Sequence, residues 1–245
     1  PLQAAIAHKS IATWQPAGAS TTMTVLGTPT PTATGTGTVR NPANTSLFTS
    51  LKRIGYVSAA AANSVGGLRD TAAQYWLGNA SGLGGFYVVI RFGNSDASLV
   101  STGRTFVGLW STTTAPTDVD PSTLTNILGV GNNNGDTNMQ LYASGAVAQA
   151  RTDLGASFPA NTVTTDAYEL TIFAQPNASS VGWRLARLGT ANVTSGTVTG
   201  ANLFANTTFV TIQIWRGNGG TASAVGIDLM SMYAEPDYSP DRGVP

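Results

Sequence analysis

Phe86-Tyr87-Val88-Val89-Ile90-Arg91-Phe92 is a run of β-branched and aromatic residues, entered from Gly84-Gly85 and left through Gly93-Asn94. Such residues suit a pleated, half-buried surface, and turn formers at both ends mark the run as one strand. Working outward, Thr105-Phe106-Val107-Gly108-Leu109-Trp110 and Ile127-Leu128-Gly129-Val130 carry the same signature. Asn132-Asn133-Asn134-Gly135-Asp136 supplies turn residues before Met139-Gln140-Leu141-Tyr142, which predicts a hairpin. A second hairpin joins Tyr168-Glu169-Leu170-Thr171-Ile172-Phe173 through Pro176-Asn177-Ala178-Ser179 to a run with Val181, Trp183 and Leu185 on one face. A last pair of runs, 209–215 and 224–233, flanks Gly217-Asn218-Gly219-Gly220. In its second member Val225, Ile227, Leu229 and Ser231 point one way, Asp228 and Met230 the other. Many short strands with almost no helical periodicity predict an all-β fold, an antiparallel β-sandwich or jelly roll.

Upstream the texture changes. Residues 15–46 are rich in Thr, Gly, Pro and Ala, including Gly27-Thr28-Pro29-Thr30-Pro31 and Thr34-Gly35-Thr36-Gly37-Thr38, with few apolar residues to bury. This predicts an extended N-terminal arm, either a flexible tether or a segment ordered along a neighbouring subunit. Residues 59–63 are expected to make a turn or two of helix, ended by Gly66-Gly67. The expected organisation is an arm or linker over 1–46, a sandwich over 47–238 and a C-terminal tail over 239–245.

The chain has 245 residues, of which 42% are hydrophobic, enough to bury the core of one sandwich. Only 10% are charged, against about 25% in an ordinary globular protein. Twelve basic and twelve acidic residues are scattered singly, so no basic patch is available for nucleic acid or anionic lipid. With no cysteine there are neither disulfides nor thiolate metal sites. No apolar run approaches the roughly 18 residues of a spanning helix, and the first residues lack the basic and apolar regions of a secretory signal. No membrane insertion is expected, and release by cell lysis fits such a chain.

Several motifs together resemble a domain of tailed-bacteriophage virion proteins. They are Gly82-Leu83-Gly84-Gly85-Phe86, Phe106-Val107-Gly108-Leu109 followed by Ala115-Pro116-Thr117, and Ile127-Leu128-Gly129-Val130-Gly131 with Asp136-Thr137-Asn138. The stretch 153–162, Tyr168-Glu169-Leu170, and Val225-Gly226-Ile227-Asp228 with Tyr233 extend the match over roughly 82–238. The resemblance is to tail fibres and similar surface components, and it implies a concanavalin-A-like sandwich at the virion surface. A tail-fibre or receptor-binding component touching host-surface glycan is then expected. A capsid decoration or head fibre with a purely structural role is the other reading. Either is expected to be a homo-oligomer, a trimer by analogy with phage fibres, contacting other virion proteins.

Catalytic chemistry finds little support. The sole histidine, His8, lies in the N-terminal segment, away from any predicted pocket. A glycoside hydrolase needs two carboxyl groups about 5 to 9.5 Å apart. The glutamates are Glu169, in a predicted strand, and Glu235, beside Pro236, while Asp118 and Asp120 fall in a turn-forming loop. Zinc and calcium ligands are not patterned, so no catalytic residue, metal or cofactor is expected. Trp14, Trp76, Trp110, Trp183 and Trp215 are the candidates for stacking on sugar rings, and most are assigned to core or interface, since Trp110 and Trp215 end apolar runs and Trp183 alternates with Val181 and Leu185. The candidate ligand-binding set is Asn132, Asn133, Asn134 and Asp136 of the hairpin turn, with Trp215 as a sugar-stacking ring.

Overall fold

The alternation along the apolar runs resolves into two stacked antiparallel sheets. The structure is a computed structural model and describes residues 12–14 and 31–236. Numbered in chain order, the first sheet runs β13 (Val193–Thr199), β12 (Ser180–Arg187), β11 (Tyr168–Ala174), β6 (Phe86–Asn94), β15 (Gly226–Pro236), β4 (Arg53–Val57), β3 (Thr36–Arg40), and β1 (Ala12–Trp14) also pairs with β15. The second runs β10 (Thr152–Asp153), β9 (Gln140–Ser144), β8 (Ile127–Asn132), β7 (Arg104–Trp110), β14 (Thr211–Gly217), β5 (Val65–Asp70), β2 (Pro31–Thr34).

The core lies between the sheets. Val88, Ile90 and Phe92 of β6, Leu170 and Ile172 of β11, and Ile227 and Leu229 of β15 face Val107 and Leu109 of β7, Leu128 and Val130 of β8, and Ile212 and Ile214 of β14. All are essentially inaccessible, and each such side chain contributes on the order of 1.5–3 kcal/mol. Two arginine–aspartate pairs are buried. Arg216 donates from Nε and Nη2 to Asp96 at 2.7 and 2.6 Å, and Arg53 donates from Nε to Asp228 at 2.6 Å. A buried charge is tolerated when paired and hydrogen-bonded, and Asp96 also accepts from the Gly226 amide.

The structure differs from the expectation in three places. The described second half of the 15–46 arm is edge strand: β2 pairs with β5, and β3 with β4. Thr-rich backbone needs no apolar side chains to complete a ladder, and Gly35, at φ +72°, makes the corner between the two sheets. Residues 59–63 form bends and a turn, with Asn63 at φ +59°, and Gly66 and Gly67 lie inside β5. The short helix is α1 (Leu47–Ser50) instead, with Ser46 and Thr49 forming a capping box. The two runs flanking 217–220 part company, one strand going to each sheet. A register shift between Leu229 and Ser231 turns Ser231 out and Met232 and Ala234 in, so Ser231 does not share the Leu229 face.

Candidate functional site

The outer face of the second sheet is apolar at its centre, which alternation alone does not reveal. Phe106, Trp215, Tyr142, Ile127 and Val65 form a second cluster there, with Trp110 and Leu124 against it. Glycines make room for the rings: a side chain on Gly67 would strike Trp215, and one on Gly129 would press on Phe106. Residues 111–126, between β7 and β8, cross this face as a strap. Gln213 Nε2 donates to the Thr112 carbonyl at 2.6 Å and Arg69 Nε to that of Thr113 at 2.9 Å. At the far end Arg104 donates from Nη1 to Asp118 at 3.1 Å and from Nε to Asp120 at 2.6 Å, and Gly219 N–H donates to Asp118 at 2.9 Å. Burial works against the Arg104 charge, but the hydrogen bonds and charges of Asp120 and Asp118 outweigh it and raise its pKa.

Beside the strap the β8–β9 turn is braced from within. Tyr142 Oη donates to Asn133 Oδ1 at 2.9 Å, Asn133 Nδ2 to Ser122 at 2.7 Å, and the Asn133 amide to Asp136 Oδ2 at 2.9 Å. Burial, and next the nearby Asp136 charge, raise the Tyr142 pKa, so this hydroxyl stays a proton donor. The short ladder between β10 and β9 then brings Arg151 to Asp136, Nη2 to Oδ1 at 2.9 Å. Ser122, Asp136, Gln140, Gln149, Arg151 and Asp153 line an open cleft of about 550 Å³.

The predicted residues divide. Asp136 lines the cleft and Asn134 is exposed beside it, its amide held by Asp120 at 3.0 Å. Asn133 is buried and serves as a brace. Asn132 turns away to donate to the Gly103 carbonyl at 2.7 Å. Trp215 is corrected: it is 0% exposed beneath the strap, and a ring without accessible surface stacks on no sugar. Arg151, Gln140, Gln149 and Asp153 escaped the sequence reading, because only the β9–β10 pairing brings them to the turn. His8 lies outside the described residues.

The cleft offers planar groups with donors and acceptors fixed in pairs, a geometry that suits adjacent hydroxyls. Its carboxylates, and those of Glu169 and Asp166, are held by neighbours. Asp136 is engaged by Arg151 and an amide, and Asp153 accepts from the Gly155 amide at 2.7 Å. Glu169 is held by Arg91 and Arg184, and Asp166 by Arg187. Among the described residues no group of three or more His, Asp or Glu is placed to hold a metal ion.

No protein-family model and no curated protein matches the chain. Solved structures do. A protein of unknown function from Shewanella oneidensis MR-1 superimposes with a TM-score of 0.59 at 16% identity, covering 96% of this chain and 89% of that one. The lectin UEA-II in complex with galactose gives 0.54 at 11%, covering 85% and 93%. Peanut lectin with a nine-residue peptide gives 0.55 at 9%, covering 92% and 97%. This chain has the concanavalin-A-like sandwich fold. At such identities the likeness is one of fold, and the side chains of the cleft must be read on their own chemistry.

Proposed function

We propose that this chain is a non-enzymatic carbohydrate-binding component of a bacteriophage virion, displayed at the particle surface as part of a tail fibre or receptor-binding assembly. The observation that carries this reading is the cleft, in which Arg151, Gln140 and Gln149 gather beside Asp136 of a braced turn. Rigid hydrogen-bonding groups bind a polyhydroxyl ligand with little ordering cost. The lectin-like fold supports the carbohydrate class, and the tail-fibre-like motifs over 82–238 support the setting. The arginine-paired carboxylates support the absence of turnover, since hydrolysis of a glycosidic bond needs one carboxyl free to give up a proton.

Incubation of the protein with host-surface polysaccharide tests this directly. Binding without release of reducing ends is expected, with Arg151→Ala weakening it about tenfold or more, the cost of a lost hydrogen bond to a charged group. Reducing ends released by the wild type and abolished in Asp118→Asn or Asp120→Asn would show an enzyme instead. Electron microscopy of particles carrying a labelled chain places it on the tail or on the head, and the latter outcome favours a decoration role.

A further inference from the structure

Ring stacking, absent from the polar cleft, is provided elsewhere on the surface. Trp76 and Phe209 stack with ring centroids 4.9 Å apart and planes 18° from parallel, and Phe209 is 46% exposed while Trp76 is half-buried. Their chain neighbours are locked. Tyr75 and Val210 are fully buried and exchange backbone hydrogen bonds at 3.1 and 2.7 Å, and Tyr75 meets Phe86 edge-on. The surrounding loops are tied together by backbone: Gly78 N–H to the Asn206 carbonyl at 3.0 Å, and Asn177 N–H to Leu77 and Leu83 carbonyls at 2.8 and 3.0 Å. Exposed Asn79, Asn177 and Asn206 therefore stand near the aromatic pair.

We propose that the Trp76–Phe209 pair and its amide-bearing loops form a second carbohydrate site, taking the apolar face of a neutral sugar ring; this rests on the carbohydrate reading above. Residues 71–85, 175–179 and 201–209 contain no Lys, Arg, Asp or Glu, so the patch offers an ionic partner nothing. An uncharged ligand with one apolar face and a rim of hydroxyls matches an aromatic surface rimmed by amides. The pair lies at the Thr211 end of β14, whereas the strap's Asp118 meets Gly217 at the other. At about 3.3 Å per residue the two ends are roughly 20 Å apart, so a single sugar does not bridge the sites.

The probe is a set of immobilised neutral gluco-, manno- and galacto-oligosaccharides, read with wild type, Trp76→Ala, Phe209→Ala, Trp76→Phe, Phe209→Tyr and Arg151→Ala. Expected is binding that falls at least fivefold in both alanine variants, survives in the two aromatic variants, and leaves measurable residual binding that is lost when Arg151→Ala is combined with either alanine substitution. Ring-proton shifts of Trp76 on adding the soluble oligosaccharide to wild type give the same answer independently of how the variants fold. Alanine variants that bind neutral sugar as the wild type does, with loss in Arg151→Ala alone, would overturn the second site and leave the cleft standing. No neutral or host sugar bound by any form would overturn both readings. An alanine variant that changes only the mass of the assembly would make the patch a self-association surface and would also overturn the proposal.

Discussion

Asp70 ends β5 on the face it shares with Leu68, turned into the sandwich and 2% exposed, with its Oδ2 lacking a hydrogen-bond partner. Burial pushes its pKa from 3.8 up to about 7. The unfolded chain loses this proton near pH 4 and the folded one only near pH 7, so stability falls as pH rises between the two and is level above. Asp70→Asn removes the penalty. The variant should match the wild type near pH 4 and exceed it at pH 8 by up to about 4 kcal/mol, the ceiling set by holding one proton from about pH 4 to about pH 7. Urea unfolding at both pH values measures this, and an unchanged difference would show the carboxyl solvated. No pattern in the sequence marks Asp70, which lies opposite Pro31 of β2 along an edge that reads as linker. Trp183 and Trp215 make the same point: both alternate with apolar neighbours, but only the fold shows that one faces the core and the other the underside of a strap.

The strap over 111–126 is the element whose removal is expected to do most damage for one substitution. Arg104 fastens both Asp118 and Asp120, and Arg104→Ala leaves the buried Asp118 carboxylate with only the Gly219 amide. A loss of about 2–3 kcal/mol is expected, with Trp215 becoming open to acrylamide quenching. Unchanged quenching would mean that Gln213, Arg69 and Leu124 hold the strap alone. Strands β6, β7, β8, β11 and β12 were legible, because each is a β-branched or aromatic run between turn formers. The edge strands β2, β3 and β13 were not, because polar Thr-Gly sequence pairs by backbone alone and looks the same in a linker. The cleft was half legible: Asp136 lies in a recognisable turn, while Arg151 arrives through a ladder of two residues.

Over the whole molecule, charge is spent on bracing. All but two of the twelve basic residues are arginines, and Arg216 and Arg53 are buried in pairs with Asp96 and Asp228. The surface left outside is correspondingly neutral and weakly self-repelling, which favours association. The first sheet supplies a face for it. Phe173, 41% exposed in the middle of that sheet, lies over Gly182 and beside Tyr87 in register, and Val89 sits between Thr171 and Tyr233. Closed cyclic assembly is the usual outcome for one self-complementary chain. On the proposed tail-fibre reading the expected state is a homo-oligomer, a trimer, with the exposed Phe173 at the contact. Sedimentation velocity should give the mass of three chains for wild type and of one for Phe173→Asp, with the same far-UV circular dichroism for both. A wild-type monomer at the highest soluble concentration would show that this face makes no self-contact, and a trimer indifferent to Phe173→Asp would move the contact to another surface.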